Sequence, residues 1–164
     1  MLDNLSSLDI PLRLLNSDDP VAVVVGVHLH LEAFLIELIN EKLVRPRALN
    51  LDRLNFPSKV GLAVALDAIP ETAAPALRTI NELRNRIAHN LNAQLVEADA
   101  ERLRDQLSFI RALSALPSWD AAASSQRVAL CAAVLQAWLS GMVEAQAYLR
   151  LHPGAGLEAE ARRR

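Results

Sequence analysis

Eight residues, LRNRIAHN at positions 83 to 90, gather two arginines, two asparagines and a histidine in a chain that is 52% hydrophobic. Arginine cannot shed its proton to escape an apolar setting, and its planar fork matches the oxygens of a carboxylate or a phosphate. Imidazole moves protons near neutral pH. Together the two groups are a minimal kit for cleaving a phosphodiester with RNA's own 2′-hydroxyl. The imidazole transfers protons while the guanidinium stabilises the charge gathering on phosphorus. Neither a metal ion nor another cofactor is needed for that chemistry.

Read as a helix at about 100° per residue, positions 74 to 90 place Ala76, Leu77, Ile80, Leu83, Ile87 and Ala88 in one arc facing a core. Arg84 falls inside that arc. The other face carries Arg78, Asn81, Glu82, Asn85, Arg86 and His89, with Asn81, Asn85 and His89 at successive i, i+4 steps on one polar stripe. Two readings of Arg84 stand side by side. It either ties helices together by pairing with an acid such as Glu32 or Asp67, or faces a narrow cleft and holds a phosphodiester. His89, near the helix end, is favoured there by the backbone dipole whatever its role. Asn85, one turn earlier, can fix its tautomer. Arg84 and His89 sit roughly 140° apart around one helix axis, too far to reach the same atom. A symmetric homodimer removes that obstacle by bringing two copies of the stripe together in one composite groove.

With Arg84 followed by Asn85, and His89 after four intervening residues, the chain resembles the HEPN domains, whose signature is this Arg-polar pair and a later His. The surrounding order supports the resemblance: LEAFLIELI, then LNFPSKVGLAVALDAI, then INELRNRIAHN. It is similar to the branch related to the mannitol operon repressor and to short stand-alone HEPN proteins, over roughly residues 20 to 115. The resemblance implies an all-α, up-and-down bundle of about five helices, dimeric, with the motif at the dimer cleft. It also implies a metal-independent endoribonuclease, a toxin or phage-defence or RNA-processing effector acting on single-stranded RNA or tRNA, with an antitoxin or regulatory protein as possible partner. In that scheme His89 is the acid or base, Arg84 the phosphate holder and Asn85 an orienting group, with Glu32, Asn81 and Arg86 in support. The alternative within the same resemblance is a non-catalytic, mannitol-repressor-like regulator acting through protein–protein contacts. RNA binding or nucleotide transfer without cleavage is a third.

Two further constellations carry residue types that could do chemistry. His28, His30 and Glu32 spell H-x-H-x-E. On a helix His28 and Glu32 share a face but His30 points about 200° away, so three ligands do not converge and no metal site is expected. Arg45, Arg47 and Arg53 crowd the loop after the long first helix and, with Arg78, read as a solvated surface or as a rim steering RNA toward the cleft.

The elements that must hold these groups are helical. With 164 residues, 5 glycines and only 4% aromatics, the chain is one domain built from Ala, Leu and Arg helices rather than strands. That domain is expected over residues 1–152, with 153–164 as a flexible tail. A net charge of -2 excludes a global positive field, so nucleic acid must be held by a local patch. The single cysteine, Cys131, excludes an intrachain disulfide framework and fits a reducing compartment. The N-terminus lacks a signal-peptide pattern, and the 16-residue uncharged run from Val128 to Val143 is short for a membrane span, so a cytoplasmic protein without membrane contact is expected.

Along the chain, residues 5–16 read as a short helix, and a long helix opens at Pro20 behind NSDDP and runs to about Val44. Another starts at Ser58 and stops before Pro70. The motif helix is capped by Thr72 and ended by Asn90 in a left-handed conformation, a charged helix covers 97–115, and a last one runs from about Trp119 to Leu151.

Overall fold

A computed structural model of the chain describes residues 19–90, 92–110 and 122–152. Among them the fold is an all-α helical bundle of five helices: α1 (Pro20–Lys42), α2 (Phe56–Ala65), α3 (Ala74–His89), α4 (Glu97–Gln106) and α5 (Ser124–Leu151). Single 3-10 turns at Pro46–Ala48, Leu51–Arg53 and Glu71–Ala73 join them. The helix expected at 5–16, the end of the helix expected over 97–115, and the tail from 153 lie outside the described residues.

α1 starts where its sequence says it should. The Asp19 carboxylate accepts from the backbone N–H of Val21 at 2.9 Å and Ala22 at 3.2 Å, and Pro20 occupies the first turn, where its missing N–H costs nothing. The β-branched run that follows favours strand locally, yet it is helical, because Val23, Val24, Val27, Leu31, Leu35, Leu38 and Ile39 are all buried. Burying such side chains is worth roughly 1.5–3 kcal/mol each, far more than the few tenths by which helix propensity disfavours valine. α1 packs most extensively on α5, which presents Val128, Cys131, Ala132, Leu135 and Leu139 at three- and four-residue steps. α2 and α3 also pack on α1, and α4 lies against α5 and α3. The uncharged run read as short for a membrane belongs to a 28-residue helix. By length and composition alone both α1 and α5 are apolar enough to cross a bilayer, and in the bundle their most apolar windows are 44% and 50% buried.

The helix boundaries depart from expectation for local reasons. α2 is capped by Asn55 rather than opened at Ser58: the Asn55 Oδ1 accepts from Ser58 N–H at 2.9 Å. It ends in a Schellman turn, with Ala68 N–H bonded to Ala63 C=O at 2.8 Å and Asp67 N–H to Val64 C=O at 3.0 Å. Asp67 occupies the left-handed position there, with φ of 51°. Thr72 does not cap α3. It sits inside the 3-10 turn that runs continuously into the helix, leaving Ala73 at the cap position without a side-chain bond. Asn90 is extended, at φ -143° and ψ 104°, not left-handed. Its side chain instead accepts from Asn92 N–H at 3.0 Å, an Asx turn that leads the chain away. α4 stops at Gln106, short of the expected 115, and continues as a turn closed by Ile110 N–H on Leu107 C=O. Polar links tie the short helix down. Arg86 of α3 forks onto both oxygens of Asp99 in the first turn of α4, and Glu97 binds Ser124 Oγ at 2.6 Å and Arg127 at 2.5 Å at the start of α5.

Candidate functional site

A cavity of about 380 Å³ opens where α1, the start of α2 and the middle of α3 meet. Spacing explains which side chains line it. His28 and Glu32 are one turn apart on α1, and Asn81, Arg84 and Asn85 fall on adjoining rows of α3. Asn55, Phe56 and Pro57 enter because the cap of α2 turns the chain back toward α1.

His28 is the best-held of these groups. It is 4% exposed, lies against the Phe56 ring with centroids 4.4 Å apart, and has Nε2 3.1 Å from Asn81 Oδ1. Since a carbonyl oxygen can only accept, Nε2 carries the hydrogen and Nδ1 is left with a buried lone pair that has no partner among the described residues. Burial pushes the imidazole pKa below 6.5; the Asn81 bond opposes this, Arg84 and Lys59 push it lower, and Glu32 pulls it back. The ring is therefore neutral at physiological pH.

Glu32 bonds through Oε1 to the Lys59 ammonium at 2.5 Å. Lys59 is 2% exposed, a fully buried cation whose charge is met by a carboxylate that faces the cavity. With Glu32 taken by Lys59, neither acid proposed as a partner pairs with Arg84. Arg84 as a residue is half-buried, and its guanidinium donates from Nη1 to Asn85 Oδ1 at 3.0 Å and meets no carboxylate among the described residues. A guanidinium in a pocket with only a neutral amide as its partner is open to an incoming anion.

The sequence-predicted residues divide between the cavity and the outer surface. Arg84, Asn85, Glu32 and Asn81 are brought together. His89 is exposed at the end of α3, one turn beyond Asn85, and does not line the cavity of the single chain. Ala88, placed on the core arc by the helical wheel, is also exposed, because the core-facing side of α3 ends near Leu83 and Ile87 is only partly buried. Arg86 does not support the site: its fork is spent on Asp99 and on the Gln94 carbonyl at 3.3 Å. Arg45, Arg47, Arg53 and Arg78 are exposed and outside the cavity lining. His30 is outside it too, and among the described residues no three His, Cys, Asp or Glu side chains gather as metal ligands would.

No family model, curated protein or solved structure matches this chain. Four contributors were not legible as site residues. Lys59 carried the same signal as Arg84, a cation at a core-facing position between Phe56 and Ala63 of α2. His28 had appeared only as half of an incomplete metal motif. Phe56 and Asn55 read only as the loop before Ser58, and only the packing of α2 on α1 brings them to the site.

Proposed function

We propose that the chain is a metal-independent endoribonuclease of the HEPN type, working as a homodimer on single-stranded RNA or tRNA as a toxin, phage-defence or RNA-processing effector. The observation that carries this reading is Arg84, a permanent cation that lines the cavity and has only the Asn85 amide as its hydrogen-bond partner. Held there, a phosphodiester would have its charge met by the guanidinium as it grows in the transition state. In the reaction the 2′-oxygen loses its proton and bonds to phosphorus, and the 5′-oxygen leaves and takes up a proton. The products are a 2′,3′-cyclic phosphate and a 5′-hydroxyl. His89 is the group assigned to those proton transfers. Its exposure at the end of α3 leaves it accessible to a substrate strand, and a second copy across a two-fold axis would supply it to the neighbouring Arg84.

The test is incubation of the purified protein with single-stranded RNA and with tRNA in EDTA. Cleavage leaving cyclic phosphate ends, abolished by His89→Ala in a protein that still melts cooperatively, is the expected result. Cleavage undiminished by that substitution would remove His89 from the mechanism. A second reading, a non-catalytic regulator acting through a protein partner, is favoured by one observation: His89 lies outside the cavity in the single chain. Under it, no RNA is cut, and His89→Ala changes neither stability nor RNA integrity.

A further inference from the structure

The hydrogen-bonding capacity left unspent in the cavity is lopsided. Each of its three asparagines already uses its carbonyl oxygen: Asn55 accepts from Ser58 N–H, Asn81 from His28 Nε2, and Asn85 from Arg84 Nη1. Their three amide NH₂ groups have no partner among the described residues, and Arg84 has further N–H donors beyond the one bonded to Asn85. Internal bonding has thus engaged all three carbonyl oxygens and left the amide NH₂ groups as the unspent donors. Two acceptors are unspent among the lining side chains: the neutral Nδ1 of His28, which is buried, and one charged oxygen. Glu32 gives Oε1 to Lys59 and keeps Oε2 without a partner among the described residues.

Such a cavity fits a ligand that is rich in acceptor oxygens and carries one hydroxyl donor close to them. From this complementarity, the geometry points to a ribonucleotide subsite: a phosphate on Arg84 and the Asn81 and Asn85 amides, with the adjoining ribose 2′-hydroxyl donating to Glu32 Oε2. A phosphodiester group by itself is fully ionised and would leave Glu32 facing an anion with no proton to offer, which is unfavourable. The 2′-hydroxyl supplies that proton, and Glu32 becomes the residue that tells RNA from DNA. His28 acts through Asn81 as a positioning residue: by donating to Asn81 Oδ1 it turns the amide NH₂ toward the ligand. This inference rests on the reading of the cavity as an RNA phosphate site and adds which atom recognises the sugar.

The experiment is calorimetric titration of the full-length protein with adenosine and uridine 3′-monophosphates, their 2′-deoxy and 2′-fluoro analogues, and inorganic phosphate. None of these can be cleaved, so the readout is independent of nuclease activity. The ribonucleotides are expected to bind about tenfold more tightly than either analogue, since both analogues lose the hydrogen donated to a charged oxygen. In Glu32→Gln, which keeps a carbonyl for Lys59, the preference should shrink to about threefold or less. Equal affinity for the 2′-hydroxy, 2′-deoxy and 2′-fluoro nucleotides, or no binding of any of them at about millimolar concentration, overturns the proposal. So does a preference that survives Glu32→Gln. The analogue series on the unaltered protein decides the matter even if that variant does not fold. A protein that cuts RNA yet binds the three sugars equally refutes the subsite alone, whereas one that prefers the ribonucleotide and cuts nothing refutes the nuclease alone.

Discussion

The Lys59–Glu32 pair is asymmetric, and the asymmetry predicts which half is harder to remove. The side chain of Lys59 is 3% exposed and that of Glu32 29%. Replacing Glu32 by Met strands an ammonium with almost no access to water. Breaking a buried pair in this way costs about 3–5 kcal/mol, and partial solvation of the carboxylate side puts this case near the low end. Replacing Lys59 by Met keeps the aliphatic stem and strands a carboxylate that water already reaches, while sparing the ammonium its desolvation; the cost should be about 1 kcal/mol. At 2–4 °C per kcal/mol for a domain of this size, the melting temperature falls by about 6–12 °C in Glu32→Met and about 2–4 °C in Lys59→Met. Urea unfolding checks this through the midpoints, with the slope unchanged. The double substitution, which leaves no stranded charge, should be more stable than Glu32→Met alone. A Lys59→Met cost equal to or above that of Glu32→Met would refute the reasoning, because it would mean that the carboxylate is the member that cannot do without its partner.

Three other outcomes follow from the same structure. His28 has its folded pKa below the unfolded value of 6.5, held down chiefly by burial. The unfolded chain therefore takes up the proton first as pH falls, so the stability this group contributes is complete above 6.5 and lost progressively below it. Unfolding midpoints at about pH 7.5 and pH 5.5 should show that loss in the wild type and a smaller one in His28→Gln, where Arg84, Lys59 and Glu32 still face the site. Asp67 holds a left-handed φ of 51° at the end of α2, so Asp67→Gly should raise the melting temperature by about 2–4 °C, and a decrease would show that the Asp side chain stabilises the turn. Cys131 is buried and its thiol is pushed up to about 12 by that burial, so a disulfide-exchange reagent at about pH 8 should label it only after unfolding. Rapid labelling of the native protein would contradict its burial.

How much was legible in the sequence depends on whether an element is specified locally or by its neighbours. The five helices could be read because capping residues and apolar spacing sit on the same segments: Asp19 with Pro20 opens α1, and Val128, Ala132, Leu135 and Leu139 of α5 recur at three and four. Boundaries that depend on what the chain meets next could not. The Schellman turn at Asp67 and the extended Asn90 are set by the path into the following segment, and a side-chain cap expected from Thr72 is displaced by the turn it belongs to. In the site, Arg84 was visible as a charge among aliphatics. Its freedom from a carboxylate was not, because that depends on Lys59 reaching Glu32 first from another helix. For the same reason the cavity's imidazole, His28, stayed hidden behind an incomplete metal motif while His89 drew the eye by proximity in sequence.

The most direct test of an anion-seeking guanidinium is RNA cleavage in EDTA by the wild type and by Arg84→Ala, with melting curves recorded on the same samples. The wild type should cut, and the variant should lose about a hundredfold or more of the rate while melting within a few degrees of it, the loss typical of removing a group that meets transition-state charge. Undiminished cleavage by Arg84→Ala, or a wild type that cuts no RNA, would contradict the assignment of this cavity to phosphodiester chemistry.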